Sequence, residues 1–182
     1  MKNITFLFFF CSIFVVGQEK NQTLSKLEEL IPWTHVMDMR IKDSKTKHFD
    51  FSPISHRIAE GSLALIDSIN GTQVEIGSGA FTIDTYRDKS RNHIIKSTHS
   101  YVTHYNDNAE SDLKGKSKRS KIDIYYGDEK PIFATYEKFF QLTNKKCNRH
   151  YYFVQFEIDN PSQKEVRDYI LRLAKDQIAN KK

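Results

Sequence analysis

Apolar and polar residues alternate in two segments of the second half of the chain, which is the pattern of a strand with one wet face, and a third segment between them is rich in the aromatic residues that suit a pleated surface. They span residues 121–126, 132–140 and 150–158. In the first segment the apolar positions are Ile122, Ile124 and Tyr126. Polar stretches at residues 127–130 and 141–149 separate the segments. This part of the chain therefore predicts three antiparallel strands joined by turns.

A further hairpin is predicted upstream, where residues 80–87 pair with residues 93–105 across a turn at 88–92. The glycines of Gly77-Ser78-Gly79 precede it, and the apolar parity changes there, as at a β-bulge. Residues 106–119 follow, with Leu113 as their only large apolar side chain. Such a segment buries too little apolar surface to order itself, so we predict a mobile loop over residues 106–119.

Helices are predicted at both ends of these strands. Asn160-Pro161 opens a C-terminal amphipathic helix, because proline is favoured at the first helical position. Its apolar face consists of Val166, Tyr169, Ile170 and Leu173. Residues 24–31 form a short N-terminal helix that Pro32 ends, and the alternation over residues 33–41 then predicts a strand.

Residues 52–71 fit two structures. As a helix, the segment has Ser52 as N-cap, Pro53 at the first helical position and Asn70-Gly71 as a left-handed stop. As a strand, it enters an Asn-Gly hairpin, and Gly61, which costs a helix interior about 1 kcal/mol, is explained. The helix is favoured because both of its ends are signalled.

Strands that run consecutively between helices predict an α+β fold, an antiparallel β-meander with an N-terminal helical segment and a C-terminal helix packed on it. The chain has 182 residues, and residues 18–182 fit a single domain. Residues 1–17 have the features of a signal peptide, namely Lys2, an apolar run over residues 4–16, and Gly17 at the expected cleavage point.

Signal-peptide cleavage predicts a secreted or periplasmic protein with no transmembrane span afterwards, since no later segment is long and apolar enough. Cys11 would leave with the signal peptide. Cys147 would then be the only cysteine, so the mature chain is expected to form no internal disulfide. A disulfide between the Cys147 residues of two chains is the remaining way to form one, and it would give a dimer.

Four features follow one another along the chain: a glycine-led strand at residue 77, a strand with Tyr125-Tyr126, a turn into Ile132-Phe133, and a strand with Tyr151-Tyr152-Phe153. Over residues 77–153 this order resembles that of small, secreted, uncharacterised bacterial β-meander proteins with tyrosine-pair hairpins. The resemblance implies a β-meander and no known activity. The long basic loop and the fully polar turn at residues 141–149 depart from that group.

The charge balance adds a candidate binding region. The chain carries 28 Lys and Arg against 23 Asp and Glu, a net charge of +5. Much of the excess lies in one basic run: Lys114, Lys116, Lys118, Arg119 and Lys121, with Tyr125 on the strand that follows. Basic and aromatic side chains together bind polyanions. The compartment excludes nucleic acid, which leaves an anionic glycan, a lipid headgroup or an envelope protein as partner, or a solvated loop balanced by its own acidic residues.

Catalytic and cofactor chemistry has weaker support. Asp123, Glu137 and Glu157 are candidates for the paired carboxylates of a glycoside hydrolase if they share a sheet face. Cys147 and His150 can act as a thiol nucleophile and its base only if their turn folds back. As zinc ligands they would be too few, because no second Cys or His pair with close spacing follows them. The chain has no GxSxG, HExxH or phosphate-loop motif, and no cofactor is predicted.

The sequence therefore predicts a non-catalytic binding module for a cell-envelope or extracellular partner. A hydrolase with carboxylates on a sheet face and a structural or assembly module are the alternatives.

Overall fold

The protein is described by a computed structural model over residues 29–46, 52–128, 130–140, 145–152 and 161–180. The predicted signal peptide lies outside these residues. Helix α1 covers residues 29–45. Six strands and a second helix follow: β1 Ile54–Ile69, β2 Thr72–Asp88, β3 His93–Tyr105, β4 Ser117–Gly127, β5 Lys130–Phe140, β6 Lys145–Tyr152 and α2 Pro161–Ala179. The strands form one sheet in sequence order, and every neighbouring pair is antiparallel. The predicted α+β meander is confirmed.

The described part of the chain divides into two compact units, one that ends at Lys42 and one that begins at Asp43. The sheet and α2 both belong to the second unit.

The favoured helix at residues 52–71 is wrong, because this segment is the long strand β1. It pairs with β2 along its whole length, and the connection is the two-residue turn Asn70-Gly71, with φ angles of 52° and 78°. Positive φ at both central residues is what a type I′ hairpin needs. Gly61 also has a strand explanation, because a Cβ there would lie 2.6 Å from the Phe81 ring.

The strand predicted over residues 33–41 is also wrong, because α1 runs through this segment and includes Pro32. The buried positions of α1 are Thr34, Met37, Ile41 and Ser44, which repeat with helical spacing. Met37 and Ile41 fit both the alternating and the helical pattern. In so short a window the two periods could not be distinguished.

The last strand lies earlier than predicted. Residues 145–149, expected in a turn, belong to β6, which pairs with β5 from Lys145 opposite Phe140 to Tyr152 opposite Phe133. Backbone pairing with β5 extends through a stretch that has no apolar alternation of its own. Residues 153–158 of the predicted strand lie outside the described residues.

The sheet has two distinct faces, because successive strand residues point to opposite sides. The helix-covered face carries Ile122, Ile124 and Tyr126 of β4, which form the buried core with residues of β3, β5 and α2. The α2 contribution is Ile170 and Ala174, both fully buried. The charged face carries the intervening residues Lys121, Asp123 and Tyr125.

The loop between β3 and β4 is shorter than predicted, because Ser117–Arg119 belong to β4. Its remaining part, residues 106–116, makes backbone hydrogen bonds to strands β2 and β3. The Asn106 N–H donates to the carbonyl of Ile76 in β2, and the Gly115 N–H donates to that of Tyr105. Ala109 is buried. The mobility of this loop stays a prediction.

Candidate ligand-binding groove

A groove of about 310 Å³ crosses strands β3, β4 and β5. Six of its lining residues occupy charged-face positions: Ser100, Val102, Arg119, Lys121, Glu137 and Phe139. Its volume lies at the lower end of the roughly 300–1,000 Å³ range of small-molecule sites. The groove can therefore hold a small ligand or one unit of a polymer.

The strand register arranges these residues in two rows. In the first row Arg119 lies between Val102 of β3 and Phe139 of β5. In the second row Lys121 lies between Ser100 and Glu137. Directly opposed residues in a sheet have Cβ atoms about 4.5–5.5 Å apart, so each row forms a continuous surface. One row combines a cation with apolar walls, and the other is polar.

The two cations of the groove that occupy charged-face positions, Arg119 and Lys121, differ in their partners. Lys121 is half exposed, and its Nζ lies 2.9 Å from Oδ2 of Asp123. Arg119 is exposed, and among the described residues its side chain has no hydrogen-bond or ion-pair partner. A guanidinium offers a planar fork of donors that matches a carboxylate or phosphate. Arg119 is thus the group in the groove best placed to bind an anion.

Beside the groove, in the next row along β4, Asp123 is the centre of a buried charge cluster. Its Oδ1 accepts a hydrogen bond from the Thr98 hydroxyl at 2.6 Å and lies 3.6 Å from Lys96 Nζ. The Lys96 Nζ also donates to the Tyr125 hydroxyl at 3.0 Å. Burial alone would raise the pKa of Asp123, but the Lys96 charge and the hydrogen bonds from Lys121 and Thr98 outweigh it and hold that pKa below its usual range.

This cluster argues against Asp123 as the general acid of the hydrolase alternative. Asp123 and Glu137 do share the charged face, as diagonal neighbours on β4 and β5. A general acid needs a raised pKa, whereas Asp123 is ionised, buried and held by lysines. Glu157, the third candidate carboxylate, lies outside the described residues.

The five residues predicted from the basic run do not converge. Lys114 and Lys116 lie in the loop, where the Lys116 ammonium donates to the Asp112 carbonyl at 2.7 Å. Lys118 occupies a helix-covered-face position, one residue out of phase with Arg119. Burial, and then the charge of Lys138, lower the pKa of Lys118. Of the basic run, only Arg119 and Lys121 belong to the groove.

Tyr125 is not available to stack on a ligand. It is only 5% exposed, with the Lys96 Nζ 4.6 Å from its ring centroid and the Phe133 ring packed 6.0 Å away. Through its contacts with Lys96, Tyr125 belongs to the charge cluster beside the groove.

A histidine–aspartate pair lies elsewhere on the charged face. His56 Nε2 is 2.6 Å from Asp84 Oδ1, and the His56 ring stacks on Tyr86 with centroids 4.5 Å apart. The Tyr86 hydroxyl accepts a hydrogen bond from Lys45 Nζ at 3.0 Å. In the described part of the chain, Asp84 is the only hydrogen-bond partner recorded for His56. The pair therefore lacks the adjacent nucleophile of a catalytic triad.

In the part of the chain that the structure describes, the backbone does not bring Cys147 and His150 together in a turn, and no metal site is formed. Cys147 and His150 lie on strand β6, opposite Lys138 and Thr135, so the chain is extended between them where a turn was needed to bring them together. Within the described ranges, no three His, Cys, Asp or Glu side chains are grouped as metal ligands.

The helix-covered face contains one buried polar set, Ser97, His99 and Tyr126. The Ser97 hydroxyl lies 3.1 Å from His99 Nε2 and 2.9 Å from the Tyr126 hydroxyl. The His99 Nδ1 has no hydrogen-bond partner among the described residues. Burial lowers the pKa of His99 to about 4, although the nearby Asp123 charge opposes the shift. Burial also raises the pKa of Tyr126. This set is a neutral part of the core.

Sequence reasoning found Arg119 but not the groove around it. The signal was the alternation itself, because extending the Ile122–Ile124 parity back along β4 separates Lys118 from Arg119 and Lys121. Val102, Ser100 and Phe139 could not be added without the register between strands.

No protein-family model, no curated protein and no solved structure matches this chain. In the described ranges, no helix is long and apolar enough to cross a membrane.

Proposed function

We propose that this protein is a non-catalytic secreted or periplasmic binding module that takes an anionic glycan in the groove on the charged face. The observation that supports the proposal is the exposed Arg119 guanidinium between Val102 and Phe139, in a groove of about 310 Å³. A carboxylate or sulfate of the glycan would pair with Arg119, and Lys121 would add a second positive charge.

A sugar is favoured over a bare inorganic anion because the cation row is partly apolar. Phe139 is 40% exposed and directly opposes Arg119. The C–H side of a pyranose ring would bury apolar area against Phe139 while its acidic group reaches Arg119. In the neighbouring row, Glu137 would accept hydrogen bonds from ring hydroxyls, and the Ser100 hydroxyl would donate or accept one.

The test is titration calorimetry of the purified protein with oligogalacturonate, a carboxylated glycan, and with neutral dextran oligosaccharide. Heparin oligosaccharide tests sulfate, and phosphatidylglycerol vesicles test the lipid-headgroup alternative. We expect binding to the acidic glycans that weakens as salt rises. No binding to dextran is expected.

Two substitutions that each remove one positive charge test where the glycan binds. Arg119→Ser is expected to weaken glycan binding about tenfold or more, which corresponds to the loss of one charge-assisted hydrogen-bonded contact. Lys114→Ser removes the same charge from an exposed loop position and should change affinity less than twofold. Equal losses in both variants would mean attraction by net charge alone and would refute the groove. Tight vesicle binding without glycan binding would replace the glycan by a lipid headgroup.

A further inference from the structure

Strand β1 is an unusually long edge. It has 16 residues and lies at one end of the strand order, and among the described strands it pairs only with β2. Edge strands expose unpaired N–H and C=O groups, and natural proteins protect them with short length, lysine, proline or a cover. Ile54–Ile69 contains neither lysine nor proline, and residues 61–66 carry no charge.

Two large apolar side chains of this edge are exposed on the charged face. Ile58 is 54% exposed and Ile66 is 59% exposed, and their even spacing along β1 puts them on the same face. The irregularity opposite Leu65 and Ile66 inserts its extra residue in β2, so it does not break the alternation of β1. Two large isoleucines eight residues apart are thus left uncovered on one strand.

The spacing of these residues is self-complementary. When two copies of β1 are placed antiparallel with Ser62 opposite Ser62, each Ile58 faces Ile66 of the other copy. The same register sets Arg57 opposite Asp67 and Ala59 opposite Leu65. His56 then faces Ser68 and Glu60 faces Ala64, so no like charges oppose each other. Moving the register by two residues in either direction separates both the isoleucine pair and the Arg57–Asp67 pair.

We propose that two copies of this chain associate through β1, edge to edge, in the antiparallel register centred on Ser62. The two sheets then form one continuous sheet across a twofold axis, which is an isologous contact. The register buries both isoleucine pairs and forms two cross-strand ion pairs. The groove lies on β3–β5, so this association is independent of the proposed glycan site.

The register can be tested by disulfide trapping in a full-length background with Cys11 and Cys147 changed to serine. In Ser62→Cys, the two thiols directly oppose each other, within the reach of a disulfide. Ala64→Cys is the matched control, because it is also exposed on the same face of β1. Its two thiols would be about 13 Å apart along the strands. Mild oxidation should give a covalent dimer with Ser62→Cys only.

The second test is a charge exchange followed by sedimentation over a range of protein concentrations. Wild type is expected to sediment as a dimer. Arg57→Asp places an aspartate opposite Asp67 of the other copy at both ends of the interface. It should raise the dimer dissociation constant about tenfold, since like charges directly opposite each other destabilise a strand pair. The double variant Arg57→Asp, Asp67→Arg restores opposite charges and should restore the dimer.

Three results would overturn the proposal. One is a monomeric wild type at all concentrations. Another is equal disulfide trapping at positions 62 and 64. The third is a double variant that dissociates as readily as Arg57→Asp. Circular dichroism of each variant separates these results from misfolding.

Discussion

Neighbouring residues of β4 are buried on both faces of the sheet, but among apolar side chains on one face and among charged and polar side chains on the other. Ile122 and Ile124 are buried on the helix-covered face among other apolar side chains. Asp123, between them, is only 8% exposed but points to the charged face, where lysines and a threonine satisfy its carboxylate. The first face is stabilised by apolar area, and the second needs every charge to keep its partner. The difference predicts how each face responds to substitution and to pH.

The largest effect is expected in the apolar core. Ile124→Ala should lower the free energy of unfolding by about 4 kcal/mol, because the side chain is fully buried and a cavity would remain. Ile31→Ala, at a residue that is 56% exposed, should change it by less than about 0.5 kcal/mol. Urea unfolding at neutral pH measures both. Equal effects of the two substitutions would show that the helix-covered face is not the main core.

The strands around this core are the part of the fold that the sequence predicted best. The apolar parity of Ile122, Ile124 and Tyr126, and the turn before Pro131, were both correct in β4 and β5. The β2–β3 hairpin and the Pro161 start of α2 were also correct. In each case local alternation or a capping signal agrees with the tertiary arrangement.

The segments predicted wrongly are those where local and tertiary signals conflict. Ser52 and Pro53 have the pattern of a helix start, but the Ser52 hydroxyl donates to the Ile54 carbonyl at the beginning of a strand. Pairing with β2 over the whole of β1 outweighs those local preferences. The groove was not predictable for a related reason, because Arg119 and Phe139 are 20 residues apart and meet only through the β4–β5 register.

The second prediction concerns His99, a titratable group buried in the otherwise apolar face. Its pKa is about 4 in the folded protein, below the usual 6.5, so the unfolded chain takes up a proton first as the pH falls. Stability from this residue is complete above about pH 6.5 and decreases towards pH 4, by about 3 kcal/mol in all.

His99→Gln should flatten the stability profile between pH 6.5 and pH 4. His104→Gln is the control, because His104 is exposed on the same strand, and it should keep the wild-type slope. Unfolding by urea at a series of pH values measures the slopes. A His99→Gln profile as steep as that of wild type would mean that other groups cause the pH dependence.

The smallest effects are expected on the charged face, where Asp123→Asn tests whether a buried charge needs its partners. The substitution removes the carboxylate charge that lies 3.6 Å from the buried Lys96 Nζ but keeps a side-chain oxygen, and we expect a loss of about 2 kcal/mol at pH 7. Lys121→Ala removes the other lysine of the cluster, which is 49% exposed, and should cost less than about 1 kcal/mol.

The effect of Asp123→Asn should also depend on pH. Because the folded pKa of Asp123 is lowered, the stability that its carboxylate contributes is present above the unfolded pKa of 3.8 and is lost as the pH falls below that value. The difference between wild type and Asp123→Asn should therefore shrink in acid. If Lys121→Ala cost as much as Asp123→Asn, the exposed ion pair and not the buried carboxylate would stabilise this face.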